Sequence, residues 1–338
     1  MSRGDAMPSG PHAAFPIAFD AEVQARLEAT VPLVGQHLAA EPMAWRAKSP
    51  RDEELAEDLA ADQLWRACAE SLGASYLSEE LGEAEWDRWR ARLLGLGTGK
   101  SAGWRVLVAD PIDGSSEWHR TGWRHSPVTT AAMVLDLVVE PGRGLVTRRV
   151  SGRLVAAVAG DIWQRRTFCL AGRQLVVRDW DRPAPYTIVR VSPEKRRLPI
   201  REAMTAAYFP HGPAVAYLEP LFEAVPYLHN NSGIRFALRV VEGQSSRSYA
   251  LAIEPKPVDF WEHVGVVLAA FGGASVSRLD GSPLTLNPFA KQSSIAAASR
   301  ALREACVELL QPACKKYSVQ HLHYWLNTEY PIELGKKL

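Results

Sequence analysis

Residues 110–116 place two carboxylates and two hydroxyl groups within one heptad, Asp-Pro-Ile-Asp-Gly-Ser-Ser. The apolar run 104–109 directly precedes it and predicts a β-strand that delivers Asp110 and Asp113 to its end. Gly114 then allows the backbone to turn sharply or a ligand to approach closely. Carboxylates bind hard cations such as Mg2+, and the N–H groups of a Gly-Ser-Ser turn can donate to phosphate oxygens. The heptad could therefore bring a metal ion and a phosphate group together in one short loop.

This heptad resembles the Asp-Pro-(Ile/Leu)-Asp-Gly-(Ser/Thr)-(Ser/Thr) motif of the inositol monophosphatase and fructose-1,6-bisphosphatase superfamily, which hydrolyses phosphate monoesters with Mg2+. The simpler interpretation is an Asx-type turn, with Asp and Gly present only for turn chemistry. Further segments match family motifs in the family's order, so that the resemblance spans roughly residues 45–312. It implies a fold of the α+β / α/β class, the layered αβαβα sandwich of the inositol monophosphatase-like fold.

Several of these matches lie upstream of the heptad. Glu79 resembles the first Glu of the family's (Gly/Ser)-Glu-Glu element, a metal ligand, although a solvated surface pair is the alternative. In the helix predicted over 55–72, Asp58 matches the Asp that helps to hold the nucleophilic water, with Asp62 as its rival one turn later. The family's usual Val-Thr pair before this Asp is absent. Lys48 lies where relatives carry a lysine on a mobile loop, or is simply solvated.

Downstream, the segment Asp-Phe-Trp-Glu-His at 259–263 is similar to the family's Trp-Asp helix. Glu262 stands where the family has an Asp that is the last metal ligand, and fructose-1,6-bisphosphatases also use Glu there. The additional methylene group moves the carboxylate outward. Asp259 is a second candidate, and Glu262 could instead be an acid that complements a helix dipole.

The segment Asn-Ser-Gly-Ile-Arg-Phe at 231–236 resembles the family's Gly-Ser-(Ala/Ser) helix start. Relatives place substrate hydroxyls or phosphate against this helix N-terminus, where N–H groups favour anions. Ser232 and Gly233 match those positions, while Asn231 replaces the usual Gly. Arg235 stands where bisphosphate nucleotidases often have Lys, which suggests a second anionic contact. The alternative is an ordinary N-capped helix.

The resemblance implies two or three Mg2+ ions per active site and in-line attack of an activated water on phosphorus. One ion would bind Glu79, Asp110 and the carbonyl of Ile112, and a second would bind Asp110, Asp113 and Glu262. Asp58 and Ser115 would be catalytic with Glu79, because they would orient and help to deprotonate the water. The implied substrate-binding residues are Gly114, Ser115, Ser116, Ser232, Gly233 and Arg235. Lithium inhibits many relatives.

The composition excludes several classes of protein. With 338 residues, 47% of them apolar, and a formal net charge of +1, the chain can bury a large core but lacks the basic excess of proteins that bind nucleic acid polymers or membrane surfaces. It contains no apolar run of roughly 18 residues, and residues 1–16 lack the apolar core of a signal peptide. Four cysteines show no metal-type spacing. We therefore expect a cytoplasmic homodimer that acts on a small phosphorylated metabolite, without nucleic acid or membrane partners.

The chain is predicted to divide within 179–185, a segment rich in Asp and Pro. We predict a disordered N-terminus at 1–16, an α+β metal- and phosphate-binding domain at 17–182, an α/β substrate domain at 183–317 and a C-terminal extension at 318–338. Apolar residues at four-residue steps predict a helix over 17–40. Runs at 106–109, 128–138, 145–147, 153–159 and 168–177 predict an antiparallel sheet, and alternating strands and helices follow.

The substrate stays open between related classes. We expect a small sugar-, inositol- or related phosphate, and within that class the Gly-Ser-Ser turn together with Glu262 favours a sugar phosphate. A bisphosphate nucleotidase is the alternative, although Ser192 alone remains of that family's Ser-Arg-Ser-His element. A non-catalytic descendant that binds metal or phosphate is a further alternative, suggested by the Trp-Glu pair and the absent Val-Thr pair.

Overall fold

Apolar runs of the chain form two sheets, which helices cover and separate. The computed structural model describes residues 15–40, 45–49, 52–95, 102–114, 128–139, 150–182, 186–207, 212–230, 233–243, 248–318 and 330–331. The α-helices are α1 (Ala21–Ala40), α2 (Ala56–Ser71), α3 (Glu83–Gly95), α4 (Pro193–Arg196), α5 (Gly212–Ala224), α6 (Ile234–Val241), α7 (Val264–Phe271) and α8 (Arg300–Ser318). Short 3-10 helices cover Ile200–Glu202 and Phe260–His263.

The strands are β1 (Trp45–Ser49), β2 (Asp52–Leu55), β3 (Ser75–Ser78), β4 (Ala102–Asp113), β5 (Thr129–Val139), β6 (Val150–Asp161), β7 (Arg166–Ala171), β8 (Gln174–Asp179), β9 (Thr187–Ile188), β10 (Met204–Ala207), β11 (Tyr227–Asn230), β12 (Leu251–Val258), β13 (Ser275–Ser277), β14 (Ala290–Ala297) and β15 (Tyr330–Pro331). Strands β1 and β2 form an antiparallel pair directly before α2.

The first sheet contains seven strands in the order β3-β4-β5-β6-β7-β8-β9. Neighbouring strands are antiparallel, except that β3 runs parallel to β4. Strand β5 is buried along most of its length, and this explains why its sequence is a continuous apolar run rather than an alternating one. The register of β4 against β5 shifts between Asp110 and Asp113, so the strand is irregular where the two carboxylates leave it.

The second sheet has the order β11-β10-β12-β14-β13, and β15 pairs with β14. Strand β10 is parallel to both of its neighbours, whereas β14 is antiparallel to β12 and β13. Parallel neighbours require crossover connections, and α5 supplies the one between β10 and β11.

Helices form three layers around the two sheets. Helices α1 and α2 pack on the outer face of the first sheet, where Leu27 and Trp65 are fully buried. Helices α6 and α7 lie between the sheets and contact strands of both. Helices α5 and α8 pack together on the outer side of the second sheet. This order confirms the predicted αβαβα sandwich.

The predicted single strand at 168–177 is wrong. The chain forms the hairpin of β7 and β8 there, because Gly172, with φ of +63°, reverses its direction. The helix predicted over 17–40 begins at Ala21. The predicted strand at 145–147 lies outside the described residues.

The first sheet extends past the predicted boundary between residues 182 and 183, since β9 pairs with β8. At the N-terminus, Phe15 is buried and the carbonyl of Pro16 accepts a hydrogen bond from the N–H of Leu154, so these two residues pack on β6 although 1–16 was expected to be disordered. Strand β15, in the predicted C-terminal extension, joins the second sheet.

Helices α6 and α7 approach each other closely at Gly265. A Cβ atom added there would lie 2.4 Å from the carbonyl oxygen of Ile234, and backbone atoms cannot move aside cheaply. We expect Gly265→Ala to lower the free energy of unfolding by about 1–3 kcal/mol in urea denaturation. Gly103→Ala is the matched control, because its Cβ would meet nothing nearer than 3.8 Å. Equal losses in the two variants would contradict the close approach.

Candidate metal and phosphate site

Asp110 is buried in β4 among other acidic side chains. It is 2% exposed, and its Oδ1 has no hydrogen-bond partner among the described residues. Burial raises the pKa of Asp110 well above its usual value, and the negative charges of Glu79, Asp113, Glu262 and Asp58 raise it further. We call these five residues the acidic cluster. The largest effects of charge on the pKa of Asp110 all come from carboxylates.

The parallel pairing of β3 and β4 brings Glu79 beside Asp110. Ser78, the last residue of β3, pairs with Ala109, so Glu79 directly follows β3 next to Asp110 of β4. Glu79 is exposed there, while Asp110 is buried. Two carboxylates that are distant in sequence therefore meet at one edge of the first sheet.

The two aspartates of α2 have different surroundings. Asp62 is 4% exposed and accepts hydrogen bonds from the hydroxyl groups of Tyr76 and Ser78, both at 2.6 Å. It also forms an ion pair with Arg66 at 3.2 Å. Asp58, which is also buried, acts on the pKa of Asp110. The structure therefore places Asp58 in the acidic cluster, whereas Asp62 joins α2 to β3.

The carboxylate of Asp113 lies at the N-terminus of α6. Its Oδ2 accepts hydrogen bonds from the N–H of Ile234 at 2.7 Å and from Oγ1 of Thr129 at 3.0 Å, and the N–H of Arg235 also donates to it. Burial raises the pKa of Asp113 to about 6, and these hydrogen bonds limit the rise. At Gly233, φ is +95° and an added Cβ would lie 2.7 Å from both oxygens of Asp113, so only glycine fits.

The second 3-10 helix carries Glu262 to the same edge. Its neighbour Trp261 is buried and packs against Trp86 of α3, with ring centroids 6.1 Å apart. This packing fixes the turn, and Glu262 is half-buried and acts on the pKa of Asp110. Asp259 instead forms an ion pair with Lys291 at 2.8 Å. Of the two candidates, Glu262 therefore belongs to the acidic cluster.

Arg235 is engaged in the protein interior. Its side chain is 5% exposed, its Nε lies 2.8 Å from Oδ2 of Asp161, and it forms a further ion pair with Glu242. The guanidinium group is thus already neutralised by two carboxylates. This corrects the prediction of a direct anionic contact with substrate.

Several predicted site residues lie outside the described part of the chain: Ser115, Ser116, Ser232, Asn231 and the side chain of Lys48. Gly114 is described, and its φ of +92° turns the backbone as it leaves β4. The side chain of Ile112 is a buried hydrocarbon without a ligand atom, so only its backbone carbonyl could bind a metal ion.

Thr129 and Asp161 were missed by the sequence analysis. Thr129 donates to Asp113, and Asp161 pairs with Arg235. Each is a polar residue at one end of a long apolar strand, and a polar residue in that position could have been recognised in the sequence as a candidate site residue. Their partners lie on other elements, however, so the register of the sheet is needed to find them.

Oxygen ligands dominate the acidic cluster. As the described side chains stand, no three His, Cys, Asp or Glu residues are grouped closely enough to hold a metal ion. The unpartnered Oδ1 of Asp110 nevertheless needs a positive group, because a buried carboxylate oxygen without a partner is costly. A set of carboxylates and a backbone carbonyl suits a hard cation such as Mg2+.

Replacing Asp110 tests the repulsion within the acidic cluster. In EDTA at neutral pH, we expect Asp110→Asn to unfold at a higher temperature than the parent chain, because the amide removes a charge that is unfavourable on folding. Asp161→Asn is the matched control: Asp161 is equally buried but paired with Arg235, so its variant should unfold at a lower temperature. The melting temperatures of both variants are measured by thermal unfolding. A lower melting temperature in both variants would contradict the predicted repulsion.

Comparisons with known proteins find the same architecture among solved structures. No family model matches the chain, and no curated protein matches it in sequence. The structure aligns with extragenic suppressor protein SuhB from Bartonella henselae at a TM-score of 0.57 and 16% identity, covering 86% of this chain and 98% of that one. It is also similar to a staphylococcal inositol monophosphatase-1 soaked in LiCl (TM-score 0.55, 13% identity, 86% and 93% covered). A third, an IMPase/NADP phosphatase complexed with Mg2+ and phosphate, gives a TM-score of 0.54 at 13% identity, with 86% and 94% covered. The chain therefore has the inositol monophosphatase fold.

Proposed function

We propose that the chain is a Mg2+-dependent phosphomonoesterase that hydrolyses a small sugar-, inositol- or related phosphate. The observation that carries this proposal is the buried carboxylate of Asp110, whose Oδ1 has no hydrogen-bond partner among the described residues and whose pKa is raised by four other acidic residues. Such a group of like charges is costly unless a metal ion neutralises it. The likeness in fold to a phosphatase complexed with Mg2+ and phosphate supports the same chemistry.

The proposed metal ligands follow the order of the elements. Glu79, Asp110 and the carbonyl of Ile112 would hold one Mg2+, and Asp110, Asp113 and Glu262 would hold a second. We expect these carboxylates to draw together on binding, because a divalent cation removes their mutual repulsion. The bound ions would supply positive charge that favours ionisation of the attacking water and balances the charge of the leaving alkoxide.

The remaining roles belong to the chain's own groups. Asp58, with Ser115, would orient the attacking water and accept its proton. The N–H groups of Gly114 and Ser115 would donate to the phosphate oxygens. Ser116, Ser232 and Gly233 stay proposed substrate contacts; Gly233 lines a small cavity with Glu262.

Two observations favour a monophosphate over a bisphosphate nucleotide. Arg235, which could have bound a second phosphate, is neutralised by Asp161 and Glu242. Ser192 is buried, and its hydroxyl caps α4 by accepting a hydrogen bond from the N–H of Lys195. Both residues therefore hold the fold together rather than face a ligand.

We also propose a cytoplasmic location. Cys68 and Cys169 are buried thiols, as expected for a reducing compartment. Within the described residues, none of the helices combines the length and apolar character needed to cross a membrane. A homodimeric state stays a prediction.

Phosphate release from a panel of sugar, inositol and nucleotide phosphates tests the activity. We expect Glu79→Gln to lower Mg2+-dependent turnover by at least about 100-fold, because it removes a ligand charge. Glu80→Gln is the matched control: Glu80 is the adjacent acid and is not among the proposed metal ligands, so its variant should keep the parent's rate. Equal rates in both variants would refute the metal assignment. A parent chain that hydrolyses nothing would favour the non-catalytic alternative.

Lithium gives an independent test of the second metal position. Li+ is close to Mg2+ in size but carries half its charge, so it can occupy that position without neutralising the product phosphate. We expect uncompetitive or mixed inhibition toward substrate, and much weaker inhibition by Na+, because the ligands suit small ions. The longer side chain of Glu262 could loosen this position, so Glu262→Asp should be more sensitive. Hydrolysis by both chains that is unchanged in 100 mM LiCl, the concentration soaked into the staphylococcal relative, would contradict this assignment.

A further inference from the structure

A row of polar side chains crosses the first sheet next to the N-terminus of α6. In register, Asp113 of β4 pairs with Thr129 of β5, Thr129 pairs with Asp161 of β6, and Asp161 pairs with Arg166 of β7. Residues directly opposite each other in antiparallel strands point to the same face of the sheet. These four residues, which we call the polar row, therefore share the face that α6 contacts.

The first turn of α6 is bonded to both acids of the polar row. The N–H groups of Ile234 and Arg235 donate to the carboxylate of Asp113. The guanidinium group of Arg235 forms an ion pair with Asp161 at 2.8 Å and another with Glu242, directly after the helix. Arg235 thus reaches one acid of the row through its backbone and the other through its side chain.

The other end of α6 is fixed separately. Lys195 is fully buried, and its Nζ donates hydrogen bonds to the carbonyl oxygens of Arg239 at 2.9 Å, Val240 at 3.0 Å and Glu242. Carbonyl groups at the end of a helix have no partner within the helix, so this contact satisfies them. Because both ends are bonded, α6 has little freedom to slide relative to the first sheet.

The contact between α6 and Asp113 tolerates little displacement. The Cα of Gly233 approaches so closely that an added Cβ would lie 2.7 Å from both carboxylate oxygens. A small shift of the first turn of α6 would therefore either break the hydrogen bond from Ile234 or push the carboxylate of Asp113. Either change would alter how that carboxylate is presented to a cation.

We propose that Arg235 is a positioning residue for metal binding: its ion pair with Asp161 holds the first turn of α6 in the place where its N–H groups orient the carboxylate of Asp113. The inference rests on the proposed metal role of Asp113. In this role Arg235 does not contact the substrate; it acts by fixing the orientation of the Asp113 carboxylate. Groups that orient a metal ligand in this way commonly change metal affinity by 10–100-fold when they are lost.

Metal affinity measured directly tests this role. Titration calorimetry with Mg2+ alone, on the full chain after EDTA treatment, should show that Arg235→Met raises the Kd at least about 10-fold. Arg235→Lys keeps the charge but cannot reproduce the planar geometry of the guanidinium, so it should give a smaller rise and serves as the fallback if Arg235→Met does not fold. An unchanged Kd in Arg235→Lys and in any folded Arg235→Met would overturn the proposal.

Arg166→Lys is the matched control. Arg166 pairs with the same carboxylates, Asp161 at 3.6 Å and Glu242 at 2.5 Å, but it lies on β7 and has no bond to Asp113. It should lower the melting temperature while leaving the Kd for Mg2+ within about twofold of the parent. An equal rise of Kd in Arg166→Lys would show general loosening and would overturn the proposal.

A double-mutant cycle separates positioning from simple destabilisation. If Arg235 acts through Asp113, then Arg235→Lys should not weaken Mg2+ binding further in an Asp113→Asn background. A further loss of Mg2+ affinity in the double variant would show that Arg235 does not act through Asp113. If the parent chain binds no Mg2+, the proposed function and this inference are both refuted. If the parent binds Mg2+ but the losses of affinity in the two single variants add in the double variant, the inference alone is refuted.

Discussion

The hydrogen bonds from the N-terminus of α6 to the carboxylate of Asp113 join the acidic edge of the first sheet to the layer of helices behind it. The partial positive charge of a helix N-terminus stabilises a carboxylate at this position. Because Gly265 packs α7 directly against Ile234, the position of α6 also fixes the helix that follows Glu262. One contact therefore sets the geometry of acids contributed by both halves of the chain.

Charge is distributed unevenly around this contact. On the side of Asp110, the negative charges of Glu79, Asp113, Glu262 and Asp58, which come from separate elements, raise the pKa of one buried carboxyl group. On the side of Asp161, each buried carboxylate has an arginine partner. Since Asp110 and Asp161 are both buried and lie in the same sheet, general acidity cannot explain the difference. It is the pattern expected when one region binds a cation and the other holds the backbone in place.

Local patterns in the sequence predicted the long strands, and the resemblance to the family's motifs implied the layered fold. The apolar runs before Asp110 and after residue 128 are continuous, and they form the buried strands β4 and β5. The hairpin of β7 and β8 was missed because a single glycine, Gly172, reverses an otherwise uninterrupted apolar run. Local patterns fix elements more reliably than the turns between them.

The resemblance to the family's motifs supplied candidate site residues from several segments, but the choice between neighbouring candidates needed the structure. Asp110 and Asp113 stand in one heptad, but the choice between Asp58 and Asp62 depends on Tyr76 and Ser78, which reach Asp62 from another strand. The interior position of Arg235 depends on Asp161 in the same way. These outcomes follow from contacts between elements that are distant in sequence, α2 with β3 and α6 with β6, which no local pattern in the sequence reveals.

X-ray diffraction from crystals of the full chain grown with Mn2+ and inorganic phosphate tests the central claim most directly. Mn2+ accepts the same oxygen ligands as Mg2+ and gives an anomalous signal that locates each ion. Peaks bounded by Asp110, Glu79, Asp113 and Glu262, with phosphate beside Gly114, are the predicted result. A crystal structure with saturating Mn2+ but no anomalous peak among these carboxylates would contradict the claim that the acidic cluster is a metal site.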